Sequence, residues 1–117
     1  MAYANAAKHA MLNELATLGV FTSLHSADPG TTGASEVTGG APAYARQGVA
    51  WDAAAAGAIS LTGTELFDVP ASTVAFFGVW SAVSAGTFYG GGALSASEIF
   101  AAQGTYELTE ATLDLNL

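Results

Sequence analysis

The eight residues from Thr73 to Trp80 (TVAFFGVW) restrict what this chain can fold into. Side chains alternate along a strand, so Val74, Phe76, Gly78 and Trp80 fall on one face, and Ala75, Phe77 and Val79 on the other. Both faces are apolar, which makes the segment a central strand covered on both sides. In 117 residues the second cover must be another sheet, an N-terminal helix or a neighbouring subunit. Phe76, Phe77 and Trp80 are therefore expected to be core or interface anchors.

A helix is available. Ala2 to Leu18 consists mainly of good helix formers without Pro or Gly. Tyr3, Ala7, Met11, Leu15 and Leu18 form an apolar stripe predicted to lie on an edge or face of a sheet. Gly19 follows as a C-terminal cap.

Short strands are predicted for Val20 to His25, Tyr44 to Trp51, Ile59 to Leu61 and Glu65 to Val69. Others are expected at Thr87 to Leu94, Tyr106 to Leu108 and Thr112 to Leu117. In the last of these, Leu113, Leu115 and Leu117 share a face. Gly90 to Gly92 suggest a bulge or a close backbone approach. Residues 26–42 are dense in Gly, Pro, Ser, Thr and Asp and read as a long loop. Many short strands with frequent turns indicate a mainly β fold. The expectation is one domain spanning 1–117, a small antiparallel β-sandwich or open barrel with one N-terminal amphipathic helix.

Charge excludes whole classes of partner. Lys8 and Arg46 are the only strong cations against ten carboxylates, a formal net charge of −8. Gripping nucleic acid needs clustered cations that displace counterions, and an anionic membrane makes the same demand. Neither partner is expected. Charged residues are 10% of the chain, against roughly 25% in an average domain. The resulting Ala-, Gly-, Ser- and Thr-rich surface is easily desolvated and suits a protein that spends its life assembled. The chain has no cysteine, and no apolar run approaches the ~20 residues of a membrane span. Met1 to Gly19 lacks the basic start and apolar block of a secretion signal, so synthesis in the cytoplasm is expected.

Catalytic or metal-binding groupings are weak. His25 and Asp28 come nearest to a pair, but a structural zinc site needs about four ligands, and His9 lies far off on the helix. His25 is read as a strand-end residue bonded to the following turn, and Asp28-Pro29-Gly30 as a turn sequence. Asp28 and Glu36 could supply oxygens to calcium, yet no calcium-loop pattern accompanies them. As a glycosidase pair they lack an apolar pocket to keep one carboxyl neutral. No phosphate loop or triad is apparent. The chain is read as non-catalytic, without cofactor or metal.

Arg46 is notable for its near-uniqueness. Placed just after the loop, its guanidinium can clamp Glu36 or loop carbonyls as an internal brace, or reach another subunit. Trp51 and Trp80 could stack on sugars if exposed, with core packing the expected fate of Trp80.

The string from Ser23 to Gly40 (SLHSADPGTTGASEVTGG), followed by Tyr44-Ala45-Arg46, resembles a family of short virion proteins of tailed phages. That family is typified by L-H-T-A-D-P-G-x-T-G-x-x-E-V-x-G-G-x-Y-x-R. Phe77 to Ser81, Gly86 to Leu94 and Thr112 to Asn116 are similar to its later segments. The resemblance covers nearly the whole chain. Departures are Ser26 in place of the usual Thr and an inserted Ala41-Pro42.

The resemblance implies a structural protein of the virion, assembled in the host bacterial cytoplasm. Its partners would be the major capsid protein or other virion proteins, and it would form a homo-oligomer, with a trimer favoured. Size ranks the alternatives, since a fibre spans distance by repeats or a coiled coil and neither is visible. Capsid decoration (a minor capsid protein) therefore stands first. A tail fibre or minor tail protein comes second, and a carbohydrate-binding module for host attachment third.

Overall fold

The computed structural model describes residues 2–116; Met1 and Leu117, each part of a range read above, lie outside them. The chain is mainly β with one helix near its start. Its elements are α1 (Asn5–Leu18), β1 (Phe21–His25), β2 (Gln47–Gly48), β3 (Ala58–Ser60), β4 (Glu65–Val69), β5 (Ser72–Trp80), β6 (Phe88–Phe100), β7 (Gly104–Leu108) and β8 (Thr112–Asp114). They form a four-stranded sheet in the order β2-β1-β5-β6 and two-stranded sheets β3-β8 and β4-β7. All pairings are antiparallel, and no sheet closes into a barrel.

β5 is central, paired to β1 from Phe21↔Trp80 to His25↔Phe76 and on its other edge to β6. Its core face carries Phe77 and Val79, beside Leu24 of β1. Val74 joins the same core although it lies three positions from Phe77, an odd step that should place it on the opposite face. A register shift between Val74 and Phe76 allows this, since a bulge turns the alternation over. A second shift lies between Val79 and Trp80, opposite Gly90 and Phe88. Ile59, Phe67, Leu108 and Leu113 of the two smaller sheets complete the core with Leu12 of the helix.

The other face of β5 is covered by a loop. Residues 26–42 fold back over it as an ordered loop. The Ser26 N–H donates to Ser35 O (3.0 Å), and Val37 N–H to Leu24 O (3.0 Å). A side chain at Gly33 would begin 2.4 Å from the Trp80 ring, and its φ of +77° is itself a glycine conformation. Glycine-rich composition, read above as loop, here permits a backbone to lie flat on an indole. Phe76 also lies on this second face, half-buried and outside the core, so of the three proposed anchors it is not a core residue.

Two further expectations are corrected. The helix turns a different side inward: Leu12 is buried and Leu15 and Ala16 half-buried, while Tyr3, Ala7, Met11 and Leu18 are exposed. At 100° per residue a spacing of four advances 40° each step, so the stripe winds round the helix. The side spaced 8, 9, 12, 15, 16 stays on one face. It is fastened at both polar positions, with Lys8 Nζ donating to Asn116 Oδ1 (2.7 Å) and His9 Nε2 accepting from Gly57 N–H (3.1 Å). Within Tyr44 to Trp51, only Gln47–Gly48 is strand. The Tyr44 N–H is drawn to Gly39 O (2.8 Å), and the side chains flanking it reach across loops.

Core position and face give the expected ranking of substitutions. Phe77→Ala should cost about 3–5 kcal/mol, a large share of the roughly 5–15 kcal/mol that holds a small domain together. In thermal melts it should lower Tm by on the order of 10 °C or more. Phe76→Ala, in the same strand, should cost clearly less. Equal losses for the two would mean that the face assignment is wrong.

Candidate functional site

The second face of the β1–β5 pair is polar and aromatic. Ser23 stands opposite Gly78, and Phe21 opposite Trp80. Because Ser23 and His25 are two apart on a strand, both point to this face, and both are fully buried. The Trp80 Nε1–H donates to Ser23 Oγ (2.8 Å). With one acceptor position so filled, Ser23 turns its own proton to His25 Nε2 (2.7 Å). His25 Nδ1 then carries the ring proton and donates it to Ala34 O in the loop (2.7 Å). Burial holds the His25 pKa below its usual value, partly countered by the bond to Ala34. This packing requires glycine at 78, where a Cβ would stand 2.5 Å from Ser23 Oγ and 2.6 Å from His25 Nε2.

Arg46 closes the cluster. Its Nε and Nη2 donate to the two carboxylate oxygens of Glu36, each at 2.9 Å, which is the bidentate fork that suits a guanidinium. Its Nη1 donates to Ala82 O (3.0 Å) and Ala85 O (2.8 Å) in the loop after β5. The plane lies over the Trp80 ring, with Cζ 3.6 Å from the centroid. Phe88 meets the indole edge-on at 5.1 Å. The Tyr44 hydroxyl donates to Glu36 Oε2 (2.9 Å) and accepts the Leu24 N–H (3.0 Å). Burial, reinforced by the neighbouring Glu36, pushes the Tyr44 pKa far up and keeps the phenol protonated.

Of the residues singled out in the sequence, His25, Arg46, Glu36 and Trp80 meet here. Asp28 does not: it is exposed, and its Oδ1 accepts the Gly30 N–H (2.8 Å) in a local turn. Asp28 is engaged in its own turn and Glu36 by Arg46 and Tyr44, so the two carboxylates serve separate local roles. Trp51 is half-buried at the foot of the helix, its indole N–H donating to Gly19 O (2.8 Å). Phe77 belongs to the core. Ser23, Tyr44, Gly33 and Gly78 were missed. The signal for Ser23 was its two-residue spacing from His25, which places both on one strand face.

Ser23 and His25 stand at the distance of a nucleophile and its base, but neither is accessible to a substrate. Among the described residues, no buried side-chain polar atom lacks a hydrogen-bond partner, and no group of three or more acidic or histidine side chains gathers to hold a metal. The cluster can fasten two loops to a sheet. Beside it a recess of about 390 Å³ opens between those loops, bordered by Val37, Thr38, Tyr44 and the half-exposed Val83.

Arg46→Lys keeps the charge but loses the fork. It should therefore expose both loops to a non-specific protease nearly as much as Arg46→Ala, with cleavage within 26–42 and 81–87. Breaking a buried ion pair costs at most about 3–5 kcal/mol. Digestion of Arg46→Lys at the wild-type rate would show that charge alone holds the loops.

A family model described as podophage GP4 fiber I protein gp80 matches residues 3–116, nearly the whole chain. No curated protein gives a significant match.

Proposed function

The chain belongs to the podophage GP4 fiber I protein family, and on that premise we propose that it is a non-catalytic structural subunit of a tailed-phage fibre. It works by packing against copies of itself and against other virion proteins, and it is assembled in the host cytoplasm. The family match over 3–116 carries this reading. It favours the fibre, ranked second from sequence, over capsid decoration.

The chemistry of the chain supports a structural role. Ser23 and His25 are buried and bonded to each other, and Tyr44 and Arg46, buried or half-buried, both bond Glu36. Among the described residues, no helix is long and apolar enough to cross a membrane. The net charge of −8 argues against a place facing packaged DNA. Host-glycan binding loses its main support, because Trp80 is covered by Arg46 and Gly33 and Trp51 packs against the core.

Shape keeps the second reading open. The extents of 45 × 26 × 24 Å suit a module of a fibre better than its shaft. A compact block of this kind also suits a subunit seated on the shell. In either position we propose a homo-oligomer, with the trimer that the family resemblance favours.

Gold-labelled antibody on intact particles separates these positions. Label on the fibres is the expected result. Label over the shell alone would move the protein to capsid decoration, and particles free of it would overturn both readings. Sedimentation of the purified chain should show a species of three copies.

A further inference from the structure

We propose that the cluster on the second face of β1 and β5 is an acid-released latch: with His25 neutral it holds the 26–42 loop down, and protonation of His25 lets that loop lift. This goes beyond the structural role, since it gives the loop two states. The geometry carries it. His25 is one of several ties between the loop and the β1–β5 pair, among them the bond from Val37 N–H to Leu24 O. The Glu36–Arg46 fork and the seating of Gly33 on Trp80 are two more.

The groups facing His25 leave no place for a second ring proton. From its own strand, Ser23 Oγ already receives the Trp80 N–H and gives its proton to the ring. A proton on Nε2 would reverse that bond and leave the serine hydroxyl without an acceptor inside the protein. From β5 come Phe76, Gly78 and Trp80, and from β6 the Phe88 ring at 6.3 Å, none of which offers a side-chain hydrogen-bond acceptor. Two charged groups act on the site. Glu36, bridged to His25 across the loop, favours the cation; Arg46 opposes it. Both Glu36 oxygens are already engaged, one by Nη2 of Arg46, the other by Nε of Arg46 and by Tyr44. Tyr44 remains protonated and adds no charge.

The direction follows by linkage. Burial lowers the pKa of His25 in the closed state, so the open state binds the proton more strongly. The latch is complete above the ordinary histidine value of 6.5 and weakens as pH falls below it, until the closed form also titrates. Within that window each pH unit shifts the balance toward opening by at most about tenfold.

Hydrogen exchange tests this, with rates corrected for the intrinsic effect of pH. Between pH 7.5 and 5, exchange at the amides of Ser26, Gly33, Ala34 and Val37 should rise several-fold. The amides of β3 and β4 should hold steady. His25→Gln should abolish the rise, and His9→Gln, at the other histidine, should leave it intact. An undiminished rise in His25→Gln, or none in the native chain, would overturn the latch. Should His25→Gln fail to fold, NMR titration of the native chain decides instead. The loop amides must then move with the same midpoint as the His25 ring, and a different midpoint sinks the proposal.

Discussion

A guanidinium is a rigid plane with five N–H donors, and Arg46 uses it in three directions at once. Four hydrogen bonds run to Glu36, Ala82 and Ala85, while the face of the plane lies on Trp80. Each contact belongs to a different part of the chain: the loop before β2, the loop after β5, and the end of the central strand. Lysine, with a single rounded ammonium, could serve only one of them well. The loops are long, and 26–42 contributes just one large apolar residue, Val37, to the core. Their order therefore leans on polar contacts, and Arg46 is the side chain that ties both loops at once.

That dependence explains how the central strand can be apolar on both faces. One face is buried in the ordinary way, against Leu24, Phe67 and Leu108. The other holds a tryptophan, a histidine and a serine, which need hydrogen-bond partners once water leaves. The loop brings these through Ala34 O, and it brings a flat glycine backbone against the indole. Burial is also what separates this cluster from a hydrolytic site. The Ser–His distance alone would fit catalysis, but a nucleophile without access to substrate is a structural hydroxyl.

Much of this was legible in the residues, and the failures have physical causes. The position of β5 followed from alternation, and the β4 boundaries from apolar content between turn residues. The cover of Trp80 did not follow, because glycine-rich segments are read by composition as solvent-facing. A missing Cβ is equally what allows close approach. The helix was misoriented because residues four apart drift round the axis, a drift that grows over fourteen residues. The strand expected over Tyr44–Trp51 is interrupted because its side chains are recruited by loops distant in sequence, and no local pattern records such a demand. The family resemblance reached nearly the whole chain, whereas the choice of shell over fibre rested on size and on the lack of a visible repeat or coiled coil.

Charge sets the terms on which such a subunit meets others. Both strong cations are engaged internally: Arg46 with Glu36, and Lys8 with Asn116. Exposed carboxylates such as Glu14, Asp52, Glu98, Glu107 and Glu110 are left without a matching cation among the described residues. At physiological ionic strength the reach of these charges is about 8 Å, so copies repel only near contact. There the repulsion competes with desolvation of exposed apolar side chains such as Leu66 and Ile99. Salt lowers the first term and leaves the second nearly unchanged. Association between copies should therefore strengthen with ionic strength, whereas binding to a basic face of another protein should weaken. The two kinds of contact respond to salt in opposite directions because this fold directs its arginine inward.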